Sequence, residues 1–186
     1  MRPFLLSIVF AVTAAAFADD PKAKETRLFE GDATASEFPS GMEWLNSPGP
    51  LTLRQFRGKF VLLDFWTYCC INCMHLVPDL QKLEQKYSKE LVVIGVHSAK
   101  FANEKESSQI LEAVVRYGVR HPVVNDDNLE VWKRYAIEGW PTLVLINPDG
   151  KIIGRLSDEQ AYASLDPVLA KAVPYFAGKE IGRAHV

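Results

Sequence analysis

The chain alternates between continuous apolar runs of strand length and segments whose apolar residues recur at helical spacing. Two runs, Phe60–Trp66 and Leu91–Val96, are almost wholly apolar, as expected of strands buried on both faces of a sheet. Between them, residues 71–87 place apolar side chains at three- and four-residue intervals, which predicts a helix with one buried face. Similar patterns predict three further elements: helices over 106–117 and 129–135, and a short strand at 123–124.

A hairpin and a final helix are predicted in the C-terminal part of the chain. The β-rich segments Thr142–Ile146 and Ile152–Leu156 flank residues 147–151, whose Pro and Gly suit a tight turn between antiparallel strands. Ser157 and Gln160 form a capping-box pattern for a helix, which we expect residues 166–167, Asp-Pro, to break or restart. The order of elements predicts an α/β fold, with a mixed central β-sheet flanked by helices on both faces.

Composition limits the classes of protein to which the chain can belong. Of the 186 residues, 48% are hydrophobic and 24% charged, which is typical of a globular protein and excludes a disordered chain. The net charge of -2 gives no general attraction to phosphate backbones, so we expect no nucleic-acid partner.

The length allows one domain, placed at 51–177, after a polar extended segment at 19–50. Four apolar residues could anchor that segment: Phe29, Phe38, Trp44 and Leu45.

The first eighteen residues have the three parts of a secretory signal. They combine Arg2, a short apolar run and the small residues Ala16 and Ala18 before an acidic pair. This pattern predicts a signal peptide at residues 1–18, with an uncleaved membrane anchor as the alternative. We therefore expect an exported protein, periplasmic or secreted, that is not stably inserted in a membrane after cleavage.

The last residues do not continue the domain pattern. The hexapeptide at 181–186 resembles the translation of a common sequencing adaptor. We therefore expect residues 178–186 to be a truncation scar, with a loosely ordered natural terminus as the alternative.

The three cysteines lie within five residues, which points to chemistry rather than to a framework of disulfides. Cys70 and Cys73 are separated by two residues at the predicted start of a helix, where free N–H groups and the helix dipole stabilise a thiolate. Cys70 is therefore the candidate nucleophile, and Cys73 can resolve a mixed disulfide. This pattern favours thiol–disulfide exchange, for which we expect no cofactor. Structural zinc and a purely structural disulfide are the alternatives.

The segment Asp64–Cys73 and the tripeptide Trp140-Pro141-Thr142 resemble the active-site strand–turn–helix and the cis-proline loop of the thioredoxin superfamily. The resemblance covers roughly residues 51–160 and implies a thioredoxin fold. It also implies that Pro141 is the cis-proline facing the disulfide. The residues that it suggests for substrate contact are Trp66, Trp140, Pro141 and Thr142.

Asp64 is a carboxylate in an otherwise apolar strand. Burial of a lone carboxylate is costly and should raise its pKa. In thioredoxins the matching aspartate helps to move protons during exchange, so the resemblance implies the same catalytic role for Asp64. A strand-end aspartate that bonds to backbone is the alternative.

Further segments resemble a narrower group within the superfamily. Extra strand–helix material between about Lys100 and Val124, with the export signal, resembles the TlpA/ResA branch. The segments Thr67–Cys73, Gly95–Phe101 and His121–Asp126 are more similar to the thioredoxin-like domain of NHL-repeat proteins, in which a β-propeller follows. The resemblance implies protein thiol or disulfide substrates, an external redox partner and a possible downstream propeller domain.

Some residues depart from the thioredoxin pattern. Cys69 stands where thioredoxins usually carry Trp, so their redox potential cannot be carried over. Cys69 could compete as a resolving thiol or be a small buried packing residue. His97, at the end of its strand, and His75, inside the active-site helix, could tune the thiolate or be structural.

Three other functions compete with an exported thiol–disulfide oxidoreductase. A copper-binding SCO-like chaperone would use Cys69, Cys73 and a distant His. A peroxiredoxin-like peroxidase would use Thr67 with Cys70, although Leu63 stands where that family needs Pro. A non-catalytic adaptor would be indifferent to loss of Cys70. The predicted oxidoreductase uses Cys70, Cys73 and Asp64, and the sequence leaves its redox direction open.

Overall fold

The computed structural model describes residues 21–178, with side chains from residue 26 onward, so the predicted signal peptide and nearly all of the predicted scar lie outside it. No helix within this part is long and apolar enough to cross a membrane. The strands are β1 (Ala33–Thr34), β2 (Glu43–Leu45), β3 (Phe60–Trp66), β4 (Leu91–His97), β5 (Val123–Asn125), β6 (Thr142–Ile146) and β7 (Lys151–Leu156). The α-helices are α1 (Pro21–Glu30), α2 (Ile71–Lys86), α3 (Ser107–Tyr117), α4 (Glu130–Arg134) and α5 (Ala161–Ala177).

The strands form one mixed sheet in the order β1-β7-β6-β3-β4-β5-β2. The central strand β3 pairs in parallel with β4 and antiparallel with β6, and β6 forms the predicted hairpin with β7. Because β3 is covered on both faces, all of its residues are buried, which explains its continuous apolar run. The predicted α/β fold with a mixed sheet is confirmed.

The N-terminal segment is more structured than an extended segment at 19–50 implies. Strand β1 pairs with β7 and strand β2 with β5, so the two edges of the sheet come from this segment. Phe29 and Leu45 are buried, and Phe38 packs edge-on against Trp44, as the predicted anchoring requires. The expected domain boundary at residue 51 therefore differs from the structure, because strands of two and three residues carry too short a pattern to be predicted locally.

Helix α5 corrects two expectations. Ser157 and Gln160 do not form the predicted capping box. Gln160 is the N-cap residue and makes no side-chain cap hydrogen bond, and its N–H donates to the Asp158 carboxylate. Pro167 neither breaks nor restarts the helix, which continues to Ala177. The buried residues of α5 lie on both sides of Pro167 and join the core, so packing outweighs the lost backbone hydrogen bond. These core residues are Ala161, Leu165, Leu169, Ala172 and Phe176.

Alternate side chains of β3 enter different core clusters and thereby place the candidate catalytic acid. Phe60 and Leu62 pack with helices α2 and α5, whereas Leu63 and Phe65 pack in the core on the other face. Since side chains alternate along a strand, Asp64 lies on the same face as Leu62. The end of β3 leads through residues 67–70 into α2, which places the cysteines at the C-terminal end of the central strand.

Candidate active site

Cys70 and Cys73 form a disulfide at the N-terminus of α2, with their Cα atoms 5.3 Å apart. Cys70 is the N-cap residue of the helix, and its Sγ accepts the Cys73 N–H at 3.2 Å. Cys70 is half-buried, whereas Cys73 is only 2% exposed. An attacking group from outside therefore reaches the sulfur of Cys70 and not that of Cys73.

Cys69 is an exposed free thiol, so it is not the buried packing residue that was one of the two expectations. Its backbone N–H donates to the carboxylate of Glu104 at 3.1 Å. Hydrogen bonding to Glu104 raises the pKa of the Cys69 thiol, and partial burial raises it further. Because a thiol attacks as its thiolate, this environment makes Cys69 a poor competitor of Cys73 at neutral pH.

The loop around Pro141 lies beside the disulfide-bearing helix. The Trp140–Pro141 peptide bond is cis, as the resemblance implied. Trp140 is half-buried, its Nε1–H donates to the Ser98 carbonyl at 3.0 Å, and its ring lies 4.3 Å from that of Trp132. An open groove of about 510 Å³ is lined by Trp140 and Pro141 together with Asn72 of α2. A partner chain can therefore lie next to the Cys70–Cys73 bond.

Three of the four suggested substrate contacts, Trp66, Pro141 and Thr142, are buried. Trp66 is 2% exposed and packs beneath the site with Cys73, because it is the last residue of the covered central strand. The expectation that Trp66 contacts substrate directly is therefore wrong. Thr142 is 6% exposed, and its hydroxyl donates to the Gly139 carbonyl at 2.8 Å, so its side chain holds the loop. The half-buried Trp140 and the buried Pro141 line the groove and remain the candidates for contact with a partner.

Asp64 is 5% exposed, and its Oδ1 has no hydrogen-bond partner among the described residues. Burial raises the pKa of Asp64 to about 7; the charge of His121 lowers it and that of Glu84 raises it, both by less. The expected upward shift is confirmed. A carboxyl group that titrates near neutral pH can both release and accept a proton under physiological conditions.

His121 and Glu84 were missed as neighbours of Asp64. His121 is 4% exposed, and its Nδ1 lies 3.3 Å from a carboxylate oxygen of Glu84. The imidazole lies next to Gly95, which pairs with Asp64 across β3 and β4: a Cβ at Gly95 would lie 3.5 Å from His121 Cδ2, at ordinary contact distance. His121 follows α3 and Glu84 lies in α2, so no spacing along the chain signals that they meet.

His97 lies under the loop that precedes the cysteines. Its Nε2 accepts the Tyr68 N–H at 3.3 Å, and its ring stacks on that of Tyr68 at 5.5 Å. Burial lowers the pKa of His97 to about 4, so the imidazole is neutral at physiological pH. His75, in contrast, is exposed and pairs with Glu159 at 2.7 Å on the surface.

Glu104 is the largest omission from the sequence-based prediction. Its side chain is fully buried and accepts four hydrogen bonds, from the Thr67 hydroxyl and from the N–H groups of Cys69, Lys100 and Phe101. Burial alone would raise the pKa of this carboxyl, but the hydrogen bonds outweigh it and lower the pKa. The surrounding polar loop has no periodicity that would have singled out Glu104.

The copper hypothesis needs the Cys73 thiol, which is bonded to Cys70. Within residues 26–178, no group of three or more His, Cys, Asp or Glu side chains is placed to hold a metal ion.

The sheet order, the disulfide at the helix N-terminus and the cis-proline loop define the thioredoxin class. A family model described as thioredoxin-like matches residues 58–152, just over half of the chain, and the chain belongs to this family. It is 48% identical over 149 residues to SUPPRESSOR OF QUENCHING 1 of Arabidopsis thaliana and 48% identical over 134 residues to human NHL repeat-containing protein 2. These matches cover 80% and 70% of the chain, but only 14% and 18% of those relatives.

A third relative matches over most of its own length. The thiol–disulfide oxidoreductase ResA of Bacillus thuringiensis is 31% identical over 124 residues, which cover 67% of this chain and 69% of ResA. A solved thioredoxin-like superfamily protein superposes with a TM-score of 0.67 at 21% identity and covers 81% of this chain and 99% of its own. The predicted thioredoxin fold and the predicted class of enzyme, a thioredoxin-like oxidoreductase, are confirmed.

Proposed function

We propose that the chain exchanges disulfides with partner proteins through Cys70 and Cys73. The observation that carries the proposal is the disulfide at the N-terminus of α2, with one sulfur accessible and the other buried. That arrangement lets a partner react at Cys70 while Cys73 is kept for an intramolecular second step.

In the reducing direction, the Cys70 thiolate attacks one sulfur of a partner disulfide. A mixed disulfide forms, and the other partner sulfur leaves as a thiolate that takes up a proton. Cys73 then loses its proton and attacks the Cys70 sulfur, which closes the Cys70–Cys73 bond and releases the second partner thiol. The partner gains two electrons and two protons, and the pair in this chain loses them.

Asp64 serves the second step in this scheme. Its pKa of about 7 lets the ionised carboxylate accept a proton during attack by Cys73 and return it in the opposite direction. Trp140 and Pro141 hold the partner chain in the adjacent groove.

Two cysteine substitutions test this function. Cys73→Ser should trap a mixed disulfide with a partner that carries a disulfide, because the resolving thiol is gone, whereas Cys70→Ser should trap none and abolish insulin-disulfide reduction. Cys69→Ser is the matched control, because it removes a neighbouring thiol outside the pair. Retention of exchange in Cys70→Ser would refute the proposal.

We also propose that the protein is exported and acts alongside a propeller domain. The residues at 1–18 have the pattern of a cleavable signal, and one relative is named as an NHL repeat-containing protein. Fractionation of cells that express the native gene, with N-terminal sequencing of the product, tests export. Recovery of unprocessed protein in the cytoplasm would refute it.

A further inference from the structure

The three residues before Cys70 are each held by a side chain from elsewhere in the fold. The Thr67 hydroxyl donates to Glu104 at 2.6 Å, and the Cys69 N–H donates to the same oxygen at 3.1 Å. Between them, the Tyr68 N–H donates to His97 at 3.3 Å. The position of the loop that presents Cys70 is therefore fixed by two buried side chains, Glu104 and His97.

Glu104 brings a negative charge to this loop. Its second carboxylate oxygen accepts the N–H groups of Lys100 and Phe101, each at 2.8 Å, so both oxygens are fully engaged by donors. Four donors favour the ionised form of a buried carboxyl over the protonated form. A buried carboxylate thus lies directly behind the residue that precedes Cys70.

The surroundings supply little positive charge to neutralise this carboxylate. His97, the buried base of the same loop, is neutral at physiological pH because burial lowers its pKa to about 4. Lys100 is exposed, and its charge is the weakest of the influences on the Cys69 thiol, where the effects of Glu104 prevail. The electrostatic potential at the cysteines is therefore set by two opposing influences, the positive N-terminus of α2 and the negative charge of Glu104.

These two influences act oppositely on the reduced pair. Reduction converts the disulfide into two thiols, with uptake of two electrons and two protons, and Cys70 then exchanges protons with solvent. The N-terminus of a helix stabilises a thiolate and so favours the reduced form, which makes a pair an oxidant. A nearby carboxylate disfavours the thiolate by charge repulsion, which makes the pair a better electron donor.

We propose that Glu104 is a positioning residue that makes the Cys70–Cys73 pair a reductant, by holding the loop before Cys70 and by placing a negative charge beside it. This inference rests on the proposed function, and it assigns the direction that the function leaves open.

The test compares the full chain with its Glu104→Gln variant in a series of glutathione redox buffers, with alkylation and peptide mapping of Cys70 and Cys73. The variant keeps the size of the side chain and loses its charge. We expect the equilibrium to move about tenfold towards the dithiol, which corresponds to ~30 mV. The apparent pKa for alkylation of Cys70 should fall in parallel.

Asp126→Asn is the matched control. Asp126 is also a fully buried carboxylate, which accepts the N–H groups of Val131 and Trp132 and the Ser98 hydroxyl, and none of these hydrogen bonds involves residues 67–69. We expect Asp126→Asn to lower stability and leave the redox equilibrium unchanged. An equal shift in both variants, or no shift in Glu104→Gln, would overturn the inference.

The wild-type chain provides a second measurement that does not depend on the folding of a variant. In the reduced protein, Cys70 should be alkylated with an apparent pKa near or above the ~8.5 of a free thiol. A value in the range of ~3.5–7.5 that is found for thiols activated by helix N-termini would overturn the role of Glu104. Failure of the wild-type pair to equilibrate with glutathione would instead refute the proposed function itself.

Discussion

Replacement of Asp64 by Asn should change how stability depends on pH. In the wild-type protein, burial raises the pKa of Asp64 from 3.8 to about 7. Between these values the folded state keeps the proton and the unfolded state loses it. The unfolded state then binds fewer protons, so the free energy of unfolding falls as pH rises from about 4 to about 7.

The size of this effect follows from the pKa shift. One pKa unit corresponds to ~1.36 kcal/mol, so a shift of about three units costs the folded wild-type protein about 4 kcal/mol once the pH exceeds 7. The asparagine variant carries no ionisable group at this position and avoids that cost. Its stability relative to wild type should therefore rise by about 4 kcal/mol between pH 4 and pH 8.

Urea unfolding of the oxidised wild-type and Asp64→Asn proteins at five pH values between 4 and 8 measures this difference. Subtraction of one curve from the other cancels the titration of every group that the two proteins share, except for the neighbours His121 and Glu84, which interact with Asp64 directly. A difference that does not vary with pH would refute the reasoning. The same variant should slow disulfide exchange, because Cys73 loses its proton acceptor.

Three further changes have definite outcomes. Between pH 6.5 and 4 the unfolded His97 binds a proton and the folded one, with its pKa of about 4, does not, so the wild-type protein loses about 3 kcal/mol of stability as the pH falls. His97→Gln should abolish this loss, which acid unfolding curves of the two proteins measure. Gly95→Ala should destabilise the protein by about 1–3 kcal/mol in thermal unfolding, since the new Cβ would lie 3.0 Å from Nε1 of the buried Trp66. Cys69→Ser should leave the rate of exchange with glutathione within about twofold of wild type, because the Cys69 thiol is held protonated; a larger loss would show that Cys69 takes part.

The elements that carry the redox pair could be predicted from local pattern. The apolar run of β3 and the amphipathic spacing of α2 each report on their own residues, because burial of a strand or of a helix face requires apolar side chains at a fixed period. The cysteine spacing and its place at the start of a helix belong to the same local information. The raised pKa of Asp64 followed as well, since one carboxyl in a buried run is desolvated whatever surrounds it.

The tertiary structure alone decided which distant groups meet at the site. Glu104 contacts Thr67 across 37 positions of the chain, and His121, which follows α3, lies 3.3 Å from Glu84 of α2. The edge strands β1 and β2 and the unbroken helix α5 likewise depend on packing against partners that are remote in sequence. Sequence periodicity determines which face of an element is buried, but hydrogen bonds and charges act through space, so the electrostatic setting of Cys70 exists only in the folded chain.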